Sequence, residues 1–259
     1  MPSKVAQTNR GAAAATMEAP QAGRPRTIAV THFSYVRLRE KSRLVSLADA
    51  GSIAGSLRRG SLAVLPTETG YMLAAMATSL AAVERAFAVK GRAAANVMHV
   101  ACASLSMAAE TGVLTPRALR LLGSLTPGPV TVVVEKTPLL PDRLVTLNGT
   151  VGIRVPDHPA TLQIISEVGV PLTATSLNPS GAVPAGVKDL ELGLLNWPPG
   201  EIVHVVADDG AIAYETPSTL VRVLGGKLEI LRPGPVGEQE IRLLAGPEDS
   251  LTADQASAR

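Results

Sequence analysis

Short aliphatic runs constrain this chain's fold more than any other feature of the sequence. Leu62-Ala63-Val64-Leu65 and "VTVVVE" (130–135) are almost continuously apolar. Strands buried on both faces read this way, whereas a strand with one wet face alternates. Aromatic residues are scarce, with Phe33, Phe87, Trp197 and three tyrosines in all. The core must therefore be built from Val, Leu, Ile and Ala, which fits a buried, largely parallel sheet. The same scarcity argues against an aromatic platform for stacking single-stranded nucleic acid.

Between the strand candidates lie helical patterns. "SLADAGSIAGSLRR" (46–59) reads as a helix of small residues closed by Gly60. Ser79 caps a helix with apolar positions Leu80, Val83, Phe87 and Ala88, running to Lys90. Thr115 followed by Pro116 opens another, to Leu122, after a short one over 106–110, and Pro159–Val168 is a fifth. Strands are expected at 62–66, 97–103, 130–135, in "TVGIRVP", in "PLTATS", and at 202–206, 219–223 and 228–231, with an extended arm or first strand within 27–45. Alternating strands and helices define an α/β class, and their irregular order predicts a mixed sheet. Residues 1–26, rich in Ala, Pro, Gly and Arg, are expected to be a disordered leader, 27–236 a single domain, and 237–259 a loose polar tail.

The net charge of +2 conceals a division: residues 1–43 hold eight Lys/Arg and two acids, so the remainder is mildly acidic. A globally basic nucleic-acid binder is not indicated. The single cysteine, Cys102, permits no disulfide within the chain and sits among apolar residues as a buried thiol. No window of eighteen purely apolar residues exists, and the first residues lack a secretory apolar segment, so no membrane association is expected and the reading is of a cytoplasmic protein.

Polar residues gather at the ends of the expected strands. "PTETGYML" (66–73) closes the first with Thr67, Glu68, Thr69 and Tyr71. Two readings stand: a tight turn, or a rim where a ligand sits. Thr150 and Arg154 lie on "TVGIRVP", Thr175, Ser176 and Asn178 follow "PLTA", Ser218 and Thr219 open a late strand, and Arg232 ends the last one. Lys90 and Arg92 close a helix, where cations also complement the dipole. Arg154, in an apolar strand, demands a partner, a ligand or a cleft edge. His99 and His158 have no nucleophile beside them in sequence, and HExxH, GxxxxGK[ST] and GxGxxG are absent. Cations and hydroxyls without an evident nucleophile suit phosphate binding and phosphoryl or nucleotidyl transfer.

In this order the motifs resemble the YrdC family, the threonylcarbamoyl-AMP synthases of tRNA modification. "PTETGYML" stands for PTxTxYGL, "KGRAAAN" for KxRPxxN, "TPGPVT" for PGPxT, "TVGIRVPDHP" for the RxPxHP strand, "TSLNPSG" for SANxSG, "PSTLV" for the STV element, and "LRPG" closes the series. The likeness spans about 62–236, and the residues beyond 236 are too few for the extra C-terminal domain of longer members. Four positions depart from the pattern: Met72, Ala93, Ala101 (where some members place a histidine) and Leu177. Parts of "TGYML" and "TATSLNPSG" lean toward the YciO-like branch.

The resemblance implies a single YrdC-like domain, a twisted mixed sheet with flanking helices around a concave cleft. It also implies an ATP-dependent synthase joining L-threonine, bicarbonate and ATP, with Mg²⁺ neutralising phosphate charge. Lys90, Arg92, Asn96, Thr150, Ser176, Asn178 and Arg232 would hold ATP, with Lys90 and Arg92 at the reacting phosphates. Thr69, Arg154, Ala174 and Ser218 would hold threonine. A tRNA threonylcarbamoyl transferase would act downstream. The alternative is a YciO-like paralogue that binds RNA, tRNA or nucleotide without robust synthase activity, or takes another carbamoyl or amino-acid substrate.

Overall fold

The aliphatic runs pair into one mixed 11-stranded sheet in the computed structural model, which describes residues 34–38, 45–90, 98–142, 149–176, 202–208, 212–214 and 216–247. The expected leader, 1–26, lies outside these residues. The strands are β1 (Ser34–Leu38), β2 (Leu62–Thr67), β3 (Gly70–Ala74), β4 (His99–Ala101), β5 (Gly112–Val113), β6 (Val130–Lys136), β7 (Thr150–Arg154), β8 (Leu172–Ser176), β9 (Ile202–Asp208), β10 (Thr219–Leu224) and β11 (Lys227–Arg232). The helices are α1 (Leu47–Arg58), α2 (Leu80–Lys90), α3 (Leu105–Thr111), α4 (Pro116–Leu125), α5 (Pro159–Val168) and α6 (Glu238–Ala245). Spatial order is β1-β9-β2-β3-β8-β4-β7-β6-β10-β11, with β5 beside β6. Parallel pairs (β1/β9, β2/β9, β4/β7, β6/β10) alternate with antiparallel ones, so the sheet is mixed rather than largely parallel.

Local chemistry sets the helix starts. Side chains of Ser46, Ser104 and Thr115 accept the backbone N–H groups of Asp49, Met107 and Ala118, and Pro116 and Pro159 occupy first-turn positions where their missing N–H costs nothing. Ser79 accepts the N–H of Ala82, as its sequence position predicts.

One expectation is extended and one corrected. The tight-turn reading of "PTETGYML" holds, since β2 ends at Thr67 and Gly70 turns the chain at φ 119°; the strand β3 that then runs back antiparallel to β2, with Glu68 and Thr69 as the two loop residues of a hairpin, is not among the expected strands. Thr-Glu-Thr carries none of the usual Asn-Gly or Asp-Gly hairpin signal. Tyr71 consequently leaves the rim and is buried beside Leu73 and Ala82. The polar tail is also not uniformly loose. Residues 238–245 form α6, whose Ile241 and Ala245 are buried against α4 and the β6–β10 strands. Arg117 and Arg120 of α4 donate to the carbonyls of Gly246 and Ala245 at its C-terminal end. The remainder of that stretch, 248–259, lies outside the described residues.

The two faces of the sheet differ. On the back, α2, α3, α4 and α6 bury Leu62, Val64, Leu73, Val100, Val132, Val151, Ile153 and Val221. On the front, α1 and α5 cover only part, packing Ile53, Leu57, Ile164 and Ile165 onto Ala63, Leu65, Met72, Ala101 and Leu172. This front core stops at Ala101, Leu172 and Ala174. Beyond it, pairing registers and the two-residue pleat put His99, Gly152, Arg154, Val133, Thr150, Glu135 and Arg222 on one face. The front core of α1 and α5 does not extend over this stretch, in which Gly152 and Arg154 are nevertheless buried. No helix among the described residues is long and apolar enough to cross a membrane.

Candidate active site

The β2–β3 turn is braced from within. Thr67 Oγ1 donates to the Gly70 carbonyl (2.6 Å) and accepts the Thr69 N–H (3.3 Å). With Thr67 spent on the turn, Thr69 is left to face across the cleft, where its Oγ1 accepts from Arg154 Nη1 at 3.1 Å. Arg154 is 8% exposed at the C-terminal end of β7. A guanidinium this buried needs a counter-charge, and Glu68, 3% exposed, supplies it: Arg154 Nη2 donates to Glu68 Oε1 at 2.5 Å. Glu68 Oε2 accepts the Asp157 N–H (3.0 Å), and the Glu68 carbonyl accepts those of Ala213 (2.9 Å) and Tyr214 (3.0 Å). Arg154 Nε is buried and has no partner among the described residues.

A second guanidinium lies close by. Arg232, ending β11, donates through Nη2 and Nε to the Ser218 carbonyl (2.9 and 3.3 Å) and through Nη2 to Ser218 Oγ (3.4 Å). Ser218 Oγ in turn shares a hydrogen bond with Thr131 Oγ1 at 2.8 Å. Gly234 makes this seat possible: a Cβ there would stand 2.5 Å from the Thr219 nitrogen and 2.6 Å from the Pro217 carbonyl oxygen. Burial, and after it the charge of Arg154, pull the Arg232 guanidinium below its ordinary value. Arg154 and Arg232 are thus like charges that feel each other, with the Thr69 hydroxyl on the first and that of Ser218, itself bonded to Thr131, on the second. An anion lying between them relieves that repulsion and accepts charge-assisted hydrogen bonds.

The remaining expected residues divide. Lys90, in the last turn of α2, donates Nζ to the Ser176 carbonyl at the end of β8, so these two expected ATP contacts come together. Ala174, also on β8, sits opposite His99. Thr150 shares the front face of β7 with Arg154 but lies four residues away, about 13 Å along a strand. It lines a cavity of about 770 Å³ with Glu135, Lys136, Pro138, Gly149, Leu224, Gly225 and Lys227. Between Thr150 and Arg154 the His99 ring rests on Gly152, where a Cβ would stand 2.1 Å from its Nδ1. Arg92, Asn96 and Asn178 lie outside the described residues, as do Ala93 and Leu177. Met72 and Ala101 are both buried in the front core under α1 and α5, so the longer and the shorter side chain pack in one cluster.

Two contributors escaped sequence reasoning as site residues. Glu68 was visible as a polar group at the strand end but had no assigned role, and Thr131 lay unremarked in "TPGPVT". The available signal for Glu68 was an acid bracketed by threonines at the end of an apolar run, with one unexplained arginine elsewhere. Cys102 takes no part: burial pushes its thiol up to about 12, against the opposing hydrogen bond with Thr111. Among the described residues no three His, Cys, Asp or Glu side chains gather into a metal-binding group. The arrangement can hold, orient and charge-stabilise an anionic substrate.

The chain is similar to known proteins. The family model named for Sua5, YciO and YrdC, described as "Telomere recombination", matches residues 55–234. A threonylcarbamoyl-AMP synthase of Bacillus subtilis (strain 168) is 33% identical over 202 residues, covering 75% of this chain and 56% of that protein. A putative threonylcarbamoyl-AMP synthase of Mycobacterium tuberculosis (strain ATCC 25618 / H37Rv) is 32% identical over 196 residues, covering 75% of this chain and 88% of that one. Among solved structures, P. abyssi Sua5 complexed with L-threonine superposes with a TM-score of 0.72 at 29% identity, over 84% of this chain and 62% of that one. The chain thus spans little more than half of the Bacillus relative and most of the mycobacterial one.

Proposed function

The chain belongs to the Sua5/YciO/YrdC family, and on that premise we propose that it is an L-threonylcarbamoyladenylate synthase, consuming L-threonine, bicarbonate and ATP and releasing pyrophosphate. The observation that supports this reading is a buried Arg154 held by Thr69 and Glu68, with Arg232, seated on Ser218 and through it Thr131, near enough to feel its charge. Such a seat suits a substrate with a carboxylate beside a phosphate.

The chemistry needs orientation more than a side-chain nucleophile. The threonine nitrogen bonds to the bicarbonate carbon with loss of water, giving a carbamate. A carbamate oxygen then bonds to the α-phosphorus of ATP as the bond to the β-phosphate bridging oxygen breaks, and pyrophosphate departs. Arg154 holds the threonine carboxylate through its planar fork, Thr69 and Ser218 offer hydroxyls, and Ala174 leaves room on the floor. Arg232 and Lys90 face the phosphates, with Arg92, Asn96, Ser176 and Asn178 completing the nucleotide shell. A nucleotide laid along β7, over the His99 ring, reaches Thr150 at the far end. Stabilising charge on a transferring phosphoryl group is commonly the largest catalytic term.

Mg²⁺ fits this site as a companion of the nucleotide. It is usually held by substrate phosphates and few protein carboxylates, consistent with the described residues gathering no group of three His, Cys, Asp or Glu side chains. When bound it neutralises phosphate charge. The product is an activated threonylcarbamoyl group, so a tRNA threonylcarbamoyl transferase acts next, and the work belongs in the cytoplasm where tRNA is modified.

The test is pyrophosphate release by the full chain with each substrate omitted in turn. Release that requires threonine, bicarbonate and ATP together is the expected result. Release indifferent to threonine, or none with all three, overturns the reading.

A further inference from the structure

We propose that Glu68 is the positioning residue of this site, fixing the plane of the Arg154 guanidinium that receives the substrate carboxylate. For the identity of the substrate this rests on the threonine reading above; for the geometry it does not. Arg154 has several rotatable bonds, and a fork that swings cannot offer two parallel N–H groups to a carboxylate. Thr69 holds one terminal nitrogen and Glu68 the other. Glu68 is itself immobilised: its second carboxylate oxygen takes the Asp157 N–H, three residues beyond Arg154, and its carbonyl takes those of Ala213 and Tyr214. One buried residue therefore moors the hairpin turn to the strand end that bears Arg154, to the loop after it and to the 212–214 segment.

Electrostatics give the same assignment. Arg154 stands near enough to Arg232 to lower that guanidinium below its ordinary value, and the Glu68 carboxylate 2.5 Å from Arg154 Nη2 supplies the opposite charge that draws the fork to one place. A buried ion pair is weak evidence of stabilisation, since desolvation offsets most of the Coulomb gain. The geometry points instead to preorganisation, a side chain whose rotamer is locked by a supporting hydrogen-bonded partner. Glu68 touches no reacting atom in this scheme; it acts through Arg154.

The test compares the parent with Glu68→Gln, which keeps shape and removes charge. KM values for threonine and for ATP are measured separately, and the ¹H–¹⁵N side-chain signals of Arg154 are recorded, assigned with Arg154→Lys. The expected result is a threonine KM raised at least tenfold, an ATP KM within twofold of the parent, and Arg154 Nη signals that are distinct in the parent but merge in the variant. KM values that rise together point to a merely structural residue and overturn the proposal. So does a lowered threonine KM, which would make Glu68 only a competitor for Arg154, and so do unchanged Arg154 signals. If the parent releases no pyrophosphate with threonine, the activity reading fails by itself and the Arg154 signals alone decide this one. Should Glu68→Gln not fold, Glu68→Asp keeps the charge with a shorter reach. A raised threonine KM there supports the proposal, and a parental one overturns it.

Discussion

Arg117 and Arg154 are both buried, at 4% and 8% exposure, yet they do different work. Arg117, on α4 behind the sheet, donates to two main-chain carbonyls, Gly226 in the β10–β11 turn (2.6 Å) and Gly246 after α6 (2.9 Å). Arg154, on the front, donates to two side chains, Glu68 and Thr69, and faces another cation. Carbonyls at fixed places turn a guanidinium into a tie between chain segments. Side-chain partners and a neighbouring like charge suit it to the proposed role of a receptor that an anion improves. Burial alone does not separate the two roles; the partners do.

The largest expected effect lies with the tie. Arg117→Ala strips one buried and one part-buried carbonyl of their donor, and at roughly 1–3 kcal/mol for each group left unsatisfied the loss of stability should be about 3 kcal/mol. Urea unfolding measures it, and activity per folded molecule should remain parental. A variant of full stability but low activity would merge the two arginines into one class. Next comes the receptor. Arg154→Lys keeps the charge and loses the planar fork, so threonine-dependent pyrophosphate release should fall about a hundredfold, equivalent to roughly 2.7 kcal/mol in the barrier. Its melting temperature should move by no more than a few degrees, and its ATP affinity little. A parental rate with threonine would remove the carboxylate from Arg154. Thr69→Val, which deletes one of the two partners of that fork, should cost about tenfold in kcat/KM for threonine, roughly 1.4 kcal/mol, with ATP KM unaffected. The smallest effect is expected at a third arginine. Arg222 pairs with Glu229 in the open, at 42% and 56% exposure. Exposed pairs contribute about 0–1 kcal/mol, so Arg222→Ala should shift the urea midpoint barely at all. A loss comparable to that of Arg117→Ala would show that the surface pair carries more than its exposure suggests.

Much of the fold was legible because it rests on short-range chemistry. Ser46, Ser79 and Thr115 announce helix starts by offering oxygen to N–H groups two or three residues on. The runs at 62–65 and 130–134 announce strands by being apolar on both sides. The β2–β3 hairpin was not legible, since Thr67 builds the turn through its own hydroxyl without the residues that usually signal one. Helix α6 was hidden because, of "EQEIRLLA", only Ile241 and Ala245 are fully buried, too few for its polar composition to betray. At the site, Arg154 stood out as a charge in an apolar strand, while Glu68 did not, although each is the other's counter-ion. They are 86 residues apart.

The sequence by itself determined which residues to propose for the site, because an arginine in a strand and hydroxyls at strand ends are awkward anywhere except beside a ligand or a partner. It determined the α/β class for the same local reasons. Only the tertiary structure decided which stretch of the front face α1 and α5 leave to other groups, that Arg232 comes near enough to feel the charge of Arg154, and that Glu68 is a partner of that guanidinium. These are matters of strand order and register. Pairing β7 with β4 and β6, and laying the hairpin turn against the end of β7, brings together groups from distant parts of the chain. Coulombic and hydrogen-bonding forces act over a few ångströms, and sequence separation does not reveal which charges will stand that close.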